Sequence, residues 1–320
     1  MADLSKVQQI VDDIAAIKIQ GATNIAKSAF HILVEELKRQ KFSTAVEVRE
    51  FLFPAMQMLE KARPTEPMMF NGMAYITSEV ASLGDEADVA SLRQKAEEAA
   101  QHYFDLIIST AQQAIDNGVG ILKYGDSVLT HCHSSSAIKT IIANKAGGKD
   151  FLVYNTETRP LYQGRKTAKD FLDAGMKITM IVDASAPFIL DKDDPFGLDI
   201  HAVIIGCDAI KLDGSIINKV GSYSISAAAF DNTIPVYIAG NLLKLDVHDD
   251  IHIETRAGEE VWSDKPEGLE IINFAFDQIP PRFVTGIITE FGILKPHELE
   301  PALKKHYPWM LETASRGERH

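Results

Sequence analysis

The chain has 320 residues, 46% hydrophobic and 24% charged, with 20 Gly and 13 Pro. These are values for a globular protein long enough for two domains, and they exclude a disordered, collagenous or disulfide-stapled chain. With 32 Lys and Arg against 45 Asp and Glu, the net charge of −13 disfavours nucleic acid and anionic membranes as partners. A few donors focused in a cleft can still hold a small anion. The two cysteines, Cys132 and Cys207, make no disulfide framework. No secretory signal or apolar run of membrane length is visible, so a cytoplasmic protein is expected.

Residues 1–118 read as a helical domain. Leu4, Val7, Ile10, Ile14 and Ile17 recur at three- and four-residue steps, forming one apolar stripe. Gly21 interrupts it, and Ile25, Ala29, Ile32 and Leu33 resume it. Thr44-Ala45-Val46-Glu47 fits a capping box opening a helix through Leu59, which Pro54 is expected to kink. Arg63-Pro64-Thr65-Glu66-Pro67 is a break. A long pattern from Asp88 to Asp116 buries Val89, Leu92, Ala96, Tyr103, Leu106 and Ile107 on one face and stops at Asn117-Gly118.

Residues 119–320 change grammar. Short apolar, β-branched runs alternate with helical segments: Ser127–Thr130, Phe151–Tyr154, Ile178–Val182, Val203–Ile205, Val236–Ile238 and Val284–Ile288. Apolar runs separated by helices predict a parallel sheet covered on both faces. The fold class is thus α/β: a helical N-terminal domain, then a Rossmann-like, doubly wound domain. Ligands of such a sheet lie beyond the carboxyl ends of its strands.

The residues just after each strand are therefore the candidates for chemistry. After the first comes Thr130-His131-Cys132-His133-Ser134-Ser135-Ser136. A cysteine there, before a helix, sits where the helix N-terminus favours thiolate, and the serines and backbone N–H groups suit a phosphate. A small core cysteine beside helix-capping serines explains the same residues equally well. His131-x-His133 lacks the partners of a metal site, so two histidines orienting a polar loop is the favoured reading. Glu157-Thr158-Arg159-Pro160 after the second strand reads as a structural loop, and Asp183 after the third as a helix cap. Gly206-Cys207-Asp208 comes after the fourth: Asp208 is either a general acid or a turn residue, and Cys207 packs. Asn218-Lys219, before a predicted helix, offers an amide and a cation, and Lys244 a second cation. No Gly-x-Gly-x-x-Gly, P-loop or Gly-x-Ser-x-Gly is present.

Taken in order, Gln20-Gly21-Ala22, Arg63-Pro64-Thr65, Thr130-His131-Cys132, Thr156-Glu157-Thr158-Arg159-Pro160, Gly206-Cys207-Asp208, Ile217-Asn218-Lys219-Val220-Gly221 and Ile288-Thr289-Glu290-x-Gly292 form a specific set. On these the chain resembles, over nearly its whole length, one superfamily. It joins ribose 1,5-bisphosphate isomerases, methylthioribose-1-phosphate isomerases and the α, β and δ subunits of translation initiation factor 2B. The resemblance implies an aldose–ketose isomerase acting on a phosphorylated pentose, with Cys132 and Asp208 catalytic. The segment Gly21–Ala29 looks more like that of the ribose-bisphosphate enzymes. Substrate contacts then map to Gln20, Gly21, Ala22, Thr23, Arg63, Ser134, Ser135, Ser136, Asn218, Lys219 and Lys244. No metal or other cofactor is implied, and a homo-oligomer (dimer or trimer of dimers) is. Gln20 stands where the family pattern has Arg, which removes a charged bidentate phosphate donor. Methylthioribose-1-phosphate isomerisation and a non-catalytic, initiation-factor-like binding protein are the alternatives.

Overall fold

The computed structural model describes residues 3–16, 18–19, 21–63, 66–84, 86–145, 150–193, 195–247 and 253–315. The chain divides into two compact units. One comprises Met1–Ser109, Leu245–Asp249 and Pro301–His320, the other Thr110–Lys244 and Asp250–Glu300.

The first unit opens with helices α1 (Ser5–Ala15), α2 (Ala22–Arg39), α3 (Ala45–Ala62) and α4 (Pro67–Ala81), and α5 (Val89–Asn117) begins in it. The stripe on α1 buries Val7 and Ile14, while Ile17 and Gln20 lie outside the described residues. The face of α2 buries Ile25, Ala29, Ile32 and Leu33, as the spacing predicts. Thr44 opens α3: its Oγ1 accepts the Glu47 N–H at 3.2 Å, while Glu47 accepts the Ser43 N–H at 2.6 Å. The return bond thus falls one residue earlier than in a strict capping box. The helix runs on through Pro54 to Ala62, longer than predicted. Tyr103 of α5 is fully buried against Phe30, ring centroids 5.0 Å apart, and its hydroxyl donates to the Met68 carbonyl at 2.8 Å.

The second unit carries the sheet. In chain order come β1 (Ser127–Thr130), α6 (Ser135–Asn144), β2 (Leu152–Thr156), α7 (Gln163–Asp173), β3 (Ile178–Ile181), α8 (Ala186–Ile189), β4 (Ala202–Gly206), β5 (Ala209–Lys211), β6 (Ile216–Lys219), α9 (Ser222–Asp231) and β7 (Val236–Ala239). Next are β8 (Leu245–Asp246, in the first unit), β9 (Thr255–Arg256), β10 (Asn273–Phe274), β11 (Phe276–Ile279), β12 (Gly286–Thr289), β13 (Gly292–Leu294), α10 (Leu299–His306) and α11 (Pro308–Ser315).

Seven strands form the main sheet in the order β13-β12-β7-β4-β1-β2-β3. Every pair is parallel except β12 with β13. The six apolar runs are the six parallel strands, with ends shifted by two residues at most. Val128, Val153 and Ile204 from the strands pack with Ile138 and Ile141 of α6 and Phe171 of α7. A strand covered on both faces has no polar side to alternate, which is why β1 and β4 are buried throughout. At the edge, β3 pairs with β2 alone and leaves Met180 and Val182 exposed.

Buried Asn144 fixes the approach to β1. Its Oδ1 accepts the N–H groups of Gly120 and Leu122 at 2.8 and 3.2 Å, and its Nδ2 donates to the carbonyls of Gly118 and Thr140 at 2.9 and 2.8 Å. No helix among the described residues is long and apolar enough to cross a membrane.

The sequence reading missed the antiparallel strands β5, β6 and β11. Asn218 and Lys219 stand on strand β6, opposite Asp277 and Phe276 of β11. Polar residues interrupt these segments, Lys211 in β5, Asn218 and Lys219 in β6, Asp277 and Gln278 in β11, so none shows as an apolar run; tertiary pairing makes them strands.

Candidate active site

The strand order reverses between β1 and β4. From β1 the chain steps outward to β2 and β3, then returns to β4 on the other side and continues to β7 and β12. A crevice opens at such a switch point, beyond the carboxyl ends of the strands. Cys132 comes after β1 and Asp208 after β4, so the two expected catalytic residues flank it.

Cys132 has φ of +65°, a left-handed conformation costly for a side chain with a Cβ. Both ends of the residue are tied. Its N–H donates to Thr158 Oγ1 at 3.0 Å, and its carbonyl accepts the Thr167 hydroxyl at 2.7 Å. Cys132 keeps some exposed surface, yet protein packs around its sulfur, and burial pushes the thiol up to about 11. Lys219 pulls it down; the charges of Asp208 and Asp183 push it further up. The structure thus brings Cys132, Asp208 and Lys219 into one electrostatic neighbourhood. It also corrects the expectation of a thiolate favoured by the helix N-terminus. Removal from water outweighs the nearby N–H groups, so the thiol is the resting form at neutral pH.

His131 is buried between Thr156 Oγ1 (2.6 Å from Nδ1) and the Val220 carbonyl (2.9 Å from Nε2), and burial lowers its pKa. His133 Nδ1 lies 3.1 Å from Thr167 Oγ1, and Nε2 is 3.8 Å from Asp170. Its pKa is also lowered, by burial first and by Lys166 second. The two rings turn to different threonines. Among the described residues, no group of three or more His, Cys, Asp and Glu side chains is arranged to hold a metal ion.

Ser134 caps α6, its Oγ 3.3 Å from the Ala137 N–H; Ser135 is exposed and Ser136 half-buried in the first turn. Gly206 is what allows this approach. A Cβ there would lie 2.2 Å from Ser134 Oγ and 2.4 Å from its Cβ. Asn218 donates to Ser222 Oγ at 2.8 Å. Lys219 is half-buried, its ammonium 4.8 Å from the centre of the Phe276 ring. Lys244, which a solvated-surface reading would leave in water, is buried and donates to the Cys207 carbonyl at 2.6 Å.

Gly21, Ala22, Thr23 and Arg63 belong to the first unit. Gly21 has φ of +83° and precedes α2, whose first turn holds buried Ala22 and half-buried Thr23. Arg63 ends α3, half-buried. Gln20, Pro64 and Thr65 lie outside the described residues. Glu66, at the head of α4, is buried.

Two roles escaped the sequence reading. Asp183 does not cap the helix next to it. Its carboxylate accepts the N–H groups of Thr158 (2.8 Å) and Arg159 (2.6 Å) and so holds the loop after β2. Asp277 accepts the N–H groups of Gly221 at 2.7 Å and Tyr223 at 3.0 Å, filling the N-terminus of α9. Burial pushes it up to about 6 against those N–H groups and Lys219. Nothing local marks either carboxylate, because each acts on a distant segment.

Comparison with known proteins gives a consistent result. The model of the initiation factor 2 subunit family matches residues 18–296. The ribose 1,5-bisphosphate isomerase of Methanocaldococcus jannaschii is 31% identical over 97% of this chain and 98% of its own length. The methylthioribose-1-phosphate isomerase of Trichoplax adhaerens is 31% identical over 91% of this chain and 86% of its own. Among solved structures, 5-methylthioribose 1-phosphate isomerase from Pyrococcus horikoshii superposes with a TM-score of 0.77 at 25% identity, covering 93% of this chain and 87% of that one.

Proposed function

This chain belongs to the initiation factor 2 subunit family, and on that membership we propose that it is a sugar-phosphate isomerase converting α-D-ribose 1,5-bisphosphate to D-ribulose 1,5-bisphosphate. One observation carries the reading: Cys132, in a strained turn at the switch point, has its thiol within the fields of both Lys219 and Asp208. The near-full-length match to a ribose 1,5-bisphosphate isomerase supports the choice of substrate.

The chemistry assigned to these residues moves protons only. The 1-phosphate blocks C1, so the ring opens when Asp208 gives a proton to the ring oxygen and the C1–O bond breaks. Cys132, as thiolate, takes the proton from C2, and the electrons of that bond form the C1–C2 double bond. The thiol returns the proton to C1, while the C2 hydroxyl proton passes to Asp208 and leaves a ketone. Both groups end as they began. Such acid–base steps contribute about 10²–10⁴-fold each, and positioning through the phosphates supplies more. Since the free thiol sits at about 11, the thiolate is a scarce form that the reaction draws on.

Phosphate and sugar contacts are assigned to Gln20, Gly21, Ala22, Thr23, Arg63, Ser134, Ser135, Ser136, Asn218, Lys219 and Lys244. Lys219 is the half-buried cation among them nearest in effect to the thiol; buried Lys244 acts on the strand end that carries Asp208. Proton NMR of the purified protein with α-D-ribose 1,5-bisphosphate, beside methylthioribose 1-phosphate, tests the reading. Conversion of the bisphosphate is expected. Turnover of methylthioribose 1-phosphate alone moves the assignment to the second reading, which the 31% identity to the Trichoplax enzyme keeps open. Turnover of neither removes the catalytic reading.

A further inference from the structure

The two histidines that bracket Cys132 enter no step above, although each sits at the end of a hydrogen-bonded chain that finishes on the cysteine backbone. His131 Nε2 lies 2.9 Å from the Val220 carbonyl, an acceptor, so Nε2 carries the hydrogen. In the neutral ring Nδ1 must then accept, and the Thr156 hydroxyl, 2.6 Å away, is its donor. With that proton committed, Thr156 Oγ1 accepts from the Thr158 hydroxyl at 3.3 Å. Thr158 Oγ1 is left to accept the Cys132 N–H at 3.0 Å. On the other side the Thr167 hydroxyl proton goes to the Cys132 carbonyl at 2.7 Å, so Thr167 Oγ1 accepts from His133 Nδ1 at 3.1 Å. Every direction is thereby fixed, and the two rings take opposite neutral tautomers: Nε2–H in His131 and Nδ1–H in His133.

We infer that His131 and His133 are positioning residues that hold the Cys132 peptide in its left-handed conformation, each through threonine hydroxyls. The strain of a φ of +65° persists only where surroundings over-determine it, and here the N–H and the carbonyl are both clamped. The ring of His131 also lies on Gly221, where a Cβ would come within 3.0 Å of Cε1. Through Val220 and Gly221 the same ring touches the turn just after Lys219. One side chain thus meets both the chain that clamps the Cys132 N–H and the turn that follows Lys219. The groups acting on His131 are Asp183, Lys219 and the Val220 carbonyl; those acting on His133 are Lys166 and Asp170.

This inference rests on reading Cys132 as the reacting thiol, and its test needs no sugar phosphate, so the two fail separately. The assay is alkylation of Cys132 by iodoacetamide across pH, with the modified peptide located by mass spectrometry. Thr158→Val keeps the shape and removes the acceptor for the Cys132 N–H. The turn then relaxes toward water, the alkylation midpoint falls by at least one pH unit, and the rate at pH 8 rises about tenfold. Thr158→Ser restores the wild-type profile. His131→Gln, which reaches the Val220 carbonyl but offers Thr156 nothing at the Nδ1 position, gives the same shift. His131→Asn, which keeps an acceptor there, gives a smaller one. Unshifted midpoints in folded Thr158→Val and His131→Gln proteins overturn the inference. Wild-type protein gives an independent reading: carbon-13 NMR of the histidine rings reports the two tautomers, and the same tautomer in both overturns the chain of directions.

Discussion

Replacing Gly206 with alanine tests how the end of β4 is fitted to the start of α6. The new Cβ would lie 2.2 Å from Ser134 Oγ and 2.4 Å from Ser134 Cβ, with the Ser134 Cα 3.8 Å away. Ordinary carbon contacts are about 3.5–4.0 Å, so the serine must withdraw by more than an ångström. Both residues are tied down: Gly206 is buried in a central strand, and Ser134 caps α6. Overpacking costs about 1–3 kcal/mol, and losing the cap about 1 kcal/mol more, so Gly206→Ala is expected to destabilise by about 2–4 kcal/mol. Ser134→Gly alone costs a few tenths, since glycine is a tolerable cap. The decisive variant is the double one. With the serine side chain gone, the two clashing atoms are removed and the residue 134 Cα stays at an ordinary 3.8 Å, so the pair is expected to cost about 1 kcal/mol, a coupling of about 2 kcal/mol. Urea unfolding of the four proteins, monitored by circular dichroism, measures the cycle. Additivity within about 0.5 kcal/mol refutes the argument that this contact is why a glycine stands before Cys207-Asp208.

Other predictions concern charge. With the free thiol at about 11, roughly one Cys132 in a thousand is thiolate at pH 8. Alkylation of Cys132 in the free protein, which needs the thiolate alone, is therefore expected to quicken about tenfold per pH unit from pH 7 to 10; a rate independent of pH over that range contradicts the buried thiol. Burial raises Asp277 to about 6 from the ordinary 3.8, so its contribution to stability is fully present below pH 4 and lost as pH rises through 6. Asp277→Asn does not titrate. The stability of wild type relative to this variant therefore falls by up to about 3 kcal/mol between pH 4 and 7. Urea midpoints at the two pH values check this, and an unchanged difference contradicts it.

The parallel sheet was legible because its strands are apolar on both faces, and the long helix because twenty-nine residues carry eight turns of one stripe. The placement of the candidate residues was legible where it is local: Cys132 and Asp208 each stand two positions past the end of a strand that the apolar runs mark. What the sequence hid acts at a distance. Thr167 reaches the Cys132 carbonyl across 35 positions, and Asp277 reaches Gly221 across 56. The thiol's pKa was misread for the same reason. A helix terminus can be read from neighbours in the chain, but burial is set by segments far along it.

The two borders of the main sheet are unlike. β13 ends one side as a short antiparallel strand, whereas β3 ends the other as a parallel strand, with Met180 in it and Val182 just after it exposed. An open, apolar border is a template on which another chain can build. β3 itself, Ile178–Ile181, carries no charged residue to guard it. A lysine at position 180 would place repulsion along that border, with β2 standing between it and β1, and is expected to improve solubility.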